Sequence, residues 1–316
     1  MKRVAMYALL LAAIGSAGQA ATILVGDTQP DGGTPRVLEF GLDGTFLGVF
    51  ASGYKAGGIQ LGPNRNVFIN EGASGGPIRE YEQDGTFVGN AFNGVSGVRP
   101  DDLAVDSAGN LYFNSPGWGG TTQEVRRVDS ATSSTVVVPQ NFDDPSGLTG
   151  DDSLDTPRGL AIDGNDDVLV ADRENQRLLR FDGATSELEA VLVTSKFKIQ
   201  APLVAGTGNI FYSHDGMTAI EEIDAFGNSV NNYDYPDSDP HGLMDSVLLP
   251  DGDLLVAAYN DDMVYRLDTD TGTYSTFASG SYGGAALDGT LYVAVIPEPA
   301  SLALLVLGSL IVARRR

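Results

Sequence analysis

Short apolar segments recur along the chain at nearly regular intervals. Each is a run of apolar residues that commonly ends in a polar one, and seven copies occupy residues 23–27, 67–71, 111–115, 168–172, 210–214, 254–258 and 291–295. The first residues of successive copies are 44, 44, 57, 42, 44 and 37 positions apart. A repeat of about 43 residues is typical of β-propellers, in which each repeat forms one blade of a ring.

Each repeat also has the internal pattern of a four-stranded sheet. A turn rich in Asn, Asp and Gly precedes the apolar segment, and another apolar strand precedes that turn, as in residues 159–163. A strand with alternating apolar and polar residues follows, as in residues 125–128, and a second turn then leads into an outer strand. Asn, Asp and Gly tolerate the positive φ of tight hairpins. The sequence therefore predicts an all-β propeller over residues 21–295.

The most regular repeat lies in residues 156–182. It reads Thr156-Pro157-Arg158-Gly159-Leu160-Ala161-Ile162-Asp163, then Val-Leu-Val-Ala-Asp at 168–172, then Asn-Gln-Arg-Leu-Leu-Arg-Phe at 175–181. This series of motifs resembles the NHL and SMP-30/gluconolactonase-like groups of β-propellers. The resemblance implies the propeller fold for residues 22–295, and it extends to sequence motifs in one or two blades.

The two ends of this region predict six blades. Residues 23–50 supply the second, third and fourth strands of a blade, and residues 284–287 have the pattern of the missing first strand. Pairing of these segments would close the ring and remove exposed sheet edges. Residues 291–295 are then surplus, and a seven-bladed ring with one incomplete blade is the alternative. The long interval contains an Asp-, Gly- and Ser-rich insertion at residues 139–155, which we expect to be a solvated surface loop, with metal binding by its acidic residues as the alternative.

The N-terminus has the pattern of a secretory signal peptide. Lys2 and Arg3 form a basic region, residues 4–14 are apolar, and Gly18-Gln19-Ala20 places small residues at the cleavage positions. We expect signal peptidase to cleave after residue 20 and the remaining chain to be exported.

The C-terminus resembles the PEP-CTERM sorting tail of Gram-negative bacteria. Its elements are Pro297, Glu298 and Pro299, an apolar run over residues 302–313, and Arg314, Arg315 and Arg316. The run is short for a membrane span, which needs about 20 residues, and the arginines mark its cytoplasmic end. The resemblance implies transient anchoring in the inner membrane, processing by an exosortase-type enzyme, and a location in the cell envelope, at the cell surface or in the extracellular matrix. The predicted domains are a signal peptide (1–20), a β-propeller (21–295) and a sorting tail (296–316).

The composition of the chain excludes several classes of binding partner and of catalytic chemistry. The chain has 42 acidic and 19 basic residues and a formal net charge of −23, so its surface repels nucleic acids and anionic membranes. It contains no cysteine, which excludes disulfides and thiol catalysis. The sequence also lacks a phosphate-binding loop and a dinucleotide motif.

Positions that repeat from blade to blade identify candidate ligand residues. In a propeller, the ends of the second strands and the starts of the first strands meet around one mouth of the central channel. The candidates at these positions are Asp27, Glu71, Asp101, Asp102, Arg158, Asp172, His214 and His241. Glu71, Asp172 and His214 are metal-ligand candidates for Ca²⁺ or another divalent cation. The same residues could instead cap strands and turns of the repeat, and no motif firmly implies a cofactor or a catalytic residue.

Two functions fit this sequence. The first is a non-catalytic exported propeller that binds a glycan such as an exopolysaccharide, or an envelope protein. The second is a metal-dependent hydrolase of the SMP-30/gluconolactonase-like kind. The Arg-Pro-Asp-Asp stretch at residues 99–102 is similar to the Arg-Pro-Asn-Asp of such lactonases, with Asp101 at the Asn position. Carboxylates that converge on one metal would favour the hydrolase, whereas mouth residues bonded within and between blades would favour binding.

Overall fold

The computed structural model describes residues 21–28, 33–144, 147, 152–214, 219–236 and 241–297. Within these ranges the secondary structure is entirely β, and no helix there is long and apolar enough to cross a membrane. Six four-stranded antiparallel sheets form the blades of a ring. The predicted all-β propeller with six blades is confirmed, and the seven-bladed alternative is wrong. The signal peptide predicted at 1–20 and the sorting tail beyond Pro297 lie outside the described residues.

The strands follow one another blade by blade. Blade 1 contains β1 (Thr22–Asp27), β2 (Arg36–Gly41) and β3 (Phe46–Ser52); blade 2 contains β4 (Ala56–Leu61), β5 (Val67–Glu71), β6 (Ile78–Tyr81) and β7 (Phe87–Phe92); blade 3 contains β8 (Leu103–Val105), β9 (Leu111–Pro116), β10 (Gln123–Ser130) and β11 (Ser133–Val138). Blade 4 contains β12 (Pro157–Ile162), β13 (Val168–Asp172), β14 (Arg177–Phe181) and β15 (Leu188–Val193); blade 5 contains β16 (Ile199–Val204), β17 (Ile210–His214), β18 (Ala219–Ile223) and β19 (Ser229–Asp234). Blade 6 contains β20 (Leu243–Leu248), β21 (Leu254–Ala258), β22 (Met263–Asp268) and β23 (Thr273–Ala278); a hairpin of β24 (Ser281–Tyr282) and β25 (Ala285–Ala286) follows, and β26 (Thr290–Ile296) returns to blade 1.

Strand β26 closes the ring as the innermost strand of blade 1. It pairs antiparallel with β1 along the whole length of that strand. The prediction that residues 284–287 close the ring was wrong, because Ala285 and Ala286 pair with β24 in the short hairpin. The segment that the sequence left surplus is the closing strand, since Tyr292 and Ala294 pack toward blade 2 and Val293 packs toward blade 6.

An apolar cluster fills each of the six boundaries between adjacent blades. Each second strand contributes to two of them, because successive side chains of a strand point to opposite faces. In β21, for example, Leu255 and Ala257 pack toward blade 1, whereas Leu254 and Val256 pack toward blade 5. Burial of both faces explains why the second strands are continuous apolar runs rather than alternating ones.

The innermost strands approach one another closely around the channel. A Cβ atom at Gly159 would lie 2.3 Å from the backbone nitrogen of Ala201 in blade 5, and one at Gly58 would lie 2.8 Å from the backbone nitrogen of Leu103 in blade 3. Real Cβ contacts are not that short, so glycine is needed where one backbone passes directly over the next. The residues that line the channel are therefore held in a tightly packed ring.

The insertion between blades 3 and 4 is anchored in the core at both ends. Phe142 and Leu154 are buried in the cluster that also contains Leu160 and Phe181. The N–H of Phe142 donates to the carbonyl of Asp152 at 2.9 Å. The expectation of a solvated loop was wrong for these ends, because each carries an apolar side chain that fills space between two blades.

Candidate functional site

The structure places all eight candidate residues at one end of the ring. Register pairs the last residue of three second strands with the first residue of the adjacent inner strand: Glu71 with Ala56, Asp172 with Pro157 and His214 with Ile199. The Asp101 N–H donates to the carbonyl of Asn114, at the end of β9, and His241 lies just before β20. We call this end, where the inner strands begin, the mouth.

Two of these carboxylates hold the ends of their own blades. Asp27 and Asp172 are fully buried, and each accepts a hydrogen bond at 2.7 Å from the Nε of the arginine opposite it in the third strand, Arg36 and Arg177 respectively. Burial raises the pKa of both carboxyls, while the arginines and backbone N–H donors oppose that shift. Both residues therefore cap strands of the repeat.

Two further candidates, Glu71 and His214, also have local partners. Glu71 lies 3.5 Å from Arg79 in its own blade. His214 is buried, with its Nε2 3.1 Å from Glu221, and that carboxylate also accepts from Lys196 and Tyr212. These donors lower the pKa of Glu221 to about 2, against the opposing effect of burial.

The last histidine belongs to an aromatic cluster. His241 bonds through Nδ1 to Asp261, which also accepts from the hydroxyl of Tyr265. Its ring centroid lies 3.9 Å from that of Tyr235.

The metal-ligand candidates do not form one cluster. Across the described part of the chain, the one group of three carboxylates or imidazoles whose ligand atoms lie within 4.8 Å of one another is Asp167, Asp182 and Glu189, in blade 4. The predicted set of Glu71, Asp172 and His214 is instead divided among blades 2, 4 and 5. Their equivalent positions in the repeat place these residues at the same end of the ring, but in different blades and therefore not at one point.

A cavity of about 400 Å³ opens at the mouth. Its polar and aromatic lining includes Lys55, Arg99, Asp101, Trp118, Arg158 and Tyr292. Two of the predicted candidates, Asp101 and Arg158, belong to this lining. Ligand sites for small molecules commonly have volumes of about 300–1,000 Å³, so the cavity is large enough for one.

A glycine-rich loop presents Trp118 to the cavity. The loop follows β9, and Gly117, Gly119 and Gly120 flank the tryptophan with φ values of 80°, 71° and 81°. Glycine adopts this left-handed region without the steric cost that a Cβ atom brings. The Gly120 N–H closes the turn on the carbonyl of Gly117 at 3.2 Å. Sequence reasoning missed Trp118, although it is the one tryptophan of the chain.

Two arginines flank the indole ring. The guanidinium carbons of Arg99 and Arg158 lie 4.8 and 4.9 Å from its centroid, which is cation–π distance. Ser115 positions Arg99, because its Oγ accepts the Arg99 backbone N–H at 3.1 Å. Among the described residues, none accepts a hydrogen bond from either guanidinium, and the Nε of Arg99 is buried. Both groups therefore have N–H donors that the described protein leaves unpaired.

The carboxyl group of Asp101 completes the polar wall. It is buried, its Oδ2 lies 3.9 Å from the Nε of Arg158, and that oxygen accepts no hydrogen bond from the part of the protein that the structure describes. Burial raises the pKa of Asp101, and the charges of Arg158 and Arg99 oppose the shift. The site thus combines two arginine donors with one buried acceptor.

Below the mouth lies a second cavity of about 220 Å³, the central channel. Its wall is formed by the inner strands and contains Asp102 and Asp245 among mostly apolar side chains. A narrow space of about 10 Å³ shares Arg158 and Tyr292 with the mouth cavity and Asp102 with the channel. The large side chains of Arg158 and Tyr292 thus lie between the two cavities.

Two asparagines connect neighbouring blades beside the channel. Asn114 accepts a hydrogen bond from the Asp102 N–H at 2.6 Å through Oδ1, and it donates through Nδ2 to the carbonyl of Pro157 in blade 4 at 2.7 Å. Asn70 makes the equivalent bonds to the Gly58 N–H and the Asp101 carbonyl. Both occupy the fourth position of a second strand, a repeat position that would have identified them in the sequence.

Comparison with known proteins agrees with this architecture. Residues 154–181, which include β12, β13 and β14, match the NHL repeat family. No curated protein sequence matches the chain at a significant level.

Solved structures of similar fold span most of the ring. A chain from the nidogen/laminin complex superposes with a TM-score of 0.67 at 11% identity, covering 88% of this chain and 98% of that one. A protein of unknown function from Bacteroides caccae gives 0.62 at 10% identity, with 89% and 100% covered. Virginiamycin B lyase from Staphylococcus aureus gives 0.53 at 14% identity, with 72% and 70% covered. At these identities the likeness establishes the six-bladed fold, and the sequence match adds one NHL repeat.

Proposed function

We propose that this protein is an exported, non-catalytic propeller that binds a glycan, such as an exopolysaccharide, in the mouth cavity. The observation that carries the proposal is the cavity of about 400 Å³ in which Arg99 and Arg158 both lie at cation–π distance from the Trp118 ring. An aromatic ring next to polar donors suits a sugar, which has both an apolar ring face and hydroxyl groups.

Export is the second part of the proposal. It rests on the signal-peptide pattern of residues 1–20 and on the tail resemblance, which implies processing by signal peptidase and an exosortase-type enzyme. An acidic, cysteine-free chain is compatible with an envelope or extracellular-matrix location, where cation-rich surroundings screen its charge. Intact-mass analysis of protein from the native envelope tests both cleavages.

The hydrolase alternative receives less support from the geometry. A catalytic metal would need several carboxylates or imidazoles at one point, but Glu71 and Asp172 are paired with Arg79 and Arg177 of their own blades. The solved relatives do not decide between the functions, since the fold occurs both in the nidogen/laminin complex and in virginiamycin B lyase. The arginine-flanked indole therefore favours binding.

Tryptophan fluorescence tests the binding function directly. Because Trp118 is the only tryptophan, its emission reports on the mouth without background from elsewhere. We expect envelope or extracellular polysaccharide to change this emission saturably. In pull-down assays, Trp118→Ala should lose binding, whereas Phe226→Ala should retain it, because Phe226 is 83% exposed in the turn between β18 and β19. Equal binding by the two variants would exclude the mouth as the site.

A further inference from the structure

The mouth cavity carries positive charge within a strongly acidic protein. The formal net charge of the chain is −23, yet Lys55, Arg99 and Arg158 line the cavity, and among its described lining residues Asp101 supplies the one carboxylate. A concave site lined mainly by one sign of charge focuses the field and attracts the opposite sign. The local field therefore favours an anionic ligand although the protein as a whole repels anions.

The hydrogen-bonding capacity of the two arginines specifies the kind of anion. Stacking against Trp118 uses the planar face of a guanidinium and leaves its N–H donors in the plane of the group. Within the described residues these donors have no hydrogen-bond acceptor, and Arg158 approaches Asp101 only to 3.9 Å. Guanidinium groups bind planar carboxylates through paired N–H donors. The geometry therefore suits a carboxylate.

Asp101 requires a second property of the ligand. The Tyr292 hydroxyl lies near this carboxyl group, but no donor of the described protein meets hydrogen-bond geometry with Oδ2, which is a buried acceptor, and leaving such a group unpaired is unfavourable. A ligand hydroxyl would supply the missing donor. A sulfate ion at neutral pH has no proton to donate and would instead bring acceptors toward a carboxyl group. The site thus calls for one small ligand with a carboxylate and neighbouring hydroxyl groups.

We infer that the mouth binds a uronate, an acidic sugar residue whose carboxylate pairs with Arg99 and Arg158 and whose hydroxyl donates to Asp101. The sugar ring then packs beside Trp118, and Lys55 at the rim attracts further acidic residues of the same polysaccharide. This inference rests on the proposed glycan-binding function and names the ligand class of that site.

The test uses oligosaccharide pairs that differ only in the carboxylate. Full-length protein is titrated with an oligoglucuronate and with its carboxyl-reduced form, in which each carboxylate is replaced by a hydroxymethyl group, with Trp118 fluorescence and calorimetry as readouts. We expect binding of the oligoglucuronate that weakens as salt is added and a loss of about tenfold or more in affinity for the reduced form, since a charge-assisted pair is removed.

Variants locate the binding. Arg99→Gln and Arg158→Gln should each weaken oligoglucuronate binding about tenfold while leaving the melting temperature within a few degrees of wild type. Arg127→Gln is the matched control, because Arg127 is a partly exposed residue of β10 that pairs with Asp129 and is not part of the cavity lining. It should bind like wild type.

Each alternative result has a distinct meaning. Equal affinity for the acidic and reduced oligosaccharides overturns the uronate inference but leaves the glycan-binding function in place. Stronger binding of polyglutamate than of oligoglucuronate replaces the sugar with an acidic peptide and overturns both. Absence of binding to either oligosaccharide, with no change in Trp118 emission from any envelope polysaccharide, also overturns both.

Discussion

Asp102, directly before β8, accepts a hydrogen bond through Oδ2 from the backbone N–H of Leu160 in β12, at 2.9 Å. Asp245 in β20 does the same for Val293 in β26, at 3.0 Å. Each carboxyl thus connects the inner strand of its blade to the inner strand of the next, and both face the channel. Two carboxyl groups, whose charge depends on pH, therefore connect neighbouring blades at the wall of the channel.

This pair makes stability depend on pH in a defined direction. Burial raises the pKa of Asp245 to about 7, and burial together with the charge of Asp245 raises the pKa of Asp102 well above its ordinary value. An unfolded aspartate titrates near about 3.9. Between about pH 4 and 7 the folded protein therefore holds protons that the unfolded chain has released. The contribution of these two carboxyl groups to the free energy of unfolding is fully present below about pH 4 and is lost as the pH rises through about 7.

We predict that Asp245→Asn flattens this dependence. Each proton held only by the folded state changes the free energy of unfolding by about 1.4 kcal/mol per pH unit, and the variant removes one titrating group of a coupled pair. Urea unfolding at pH 5, 6, 7 and 8 measures the slope. Asp270→Asn, at an exposed site, should keep the wild-type slope. If both variants keep it, the channel pair does not control stability in this range.

The asparagine bridges give a second prediction. Asn114→Ala removes a hydrogen-bond partner from each of two buried backbone groups, the Asp102 N–H and the Pro157 carbonyl. An unsatisfied buried group costs about 1–3 kcal/mol, so the free energy of unfolding should fall by about 2–4 kcal/mol. Asn93→Ala, at an exposed site, should change it by less than about 0.5 kcal/mol. A loss at position 114 no greater than this control value would mean that the bridge is energetically unimportant.

Close backbone approach gives a third prediction. A Cβ at Gly159 would lie 2.3 Å from the Ala201 nitrogen, whereas a Cβ at Gly164 would have no atom within 4 Å. Gly159→Ala should destabilise the fold by about 1–3 kcal/mol through overpacking, and Gly164→Ala should be neutral or slightly stabilising because it restricts the unfolded chain. In thermal unfolding, the melting temperature of Gly159→Ala should therefore fall, whereas that of Gly164→Ala should stay the same or rise slightly. Similar melting temperatures would show that blades 4 and 5 can move apart.

The fold was predictable because each blade repeats the same burial pattern. Second strands such as β21 pack on both faces and read as apolar runs, so their spacing revealed the period. The closing strand was not assigned correctly, because residues 284–287 and 291–295 have similar local patterns. Tertiary structure distinguishes the two segments. Gly283 and Gly284 have φ values of 57° and 89°, which bend the first segment into a hairpin. The second segment packs between blades 2 and 6.

The site was predictable only in part. Repeat positions placed Asp101 and Arg158 at the mouth, because strand ends of successive blades converge there. Trp118 and Arg99 lie outside the regular strands, on connections whose lengths vary from blade to blade, so no periodic position marks them. Asn70 and Asn114 share a repeat position that the sequence shows, but their bonds to the next blade depend on how neighbouring blades pack, which a strand pattern does not encode.

Ring closure depends on a buried arginine. Arg36 donates through Nε to Asp27 at 2.7 Å, and its other nitrogens donate to the carbonyls of Tyr282 at 2.6 Å and Ala285 at 3.0 Å, in the β24–β25 hairpin. Asp27 also accepts the N–H of Asp288 at 3.0 Å. One ion pair thus holds the segment that leads into β26, the strand that completes blade 1.

We therefore predict that Arg36→Ala loosens the closure. Loss of one partner leaves the buried carboxylate of Asp27 without its counter-charge, which typically costs about 3–5 kcal/mol. Hydrogen exchange should accelerate most in residues 281–296, because the hairpin loses its tether and β26 its fixed approach. Arg127→Ala, which removes a partly exposed arginine of β10 that pairs with Asp129, should leave both measurements near wild type. Acceleration spread evenly over all six blades would show that Arg36 supports global stability without a specific role at the seam.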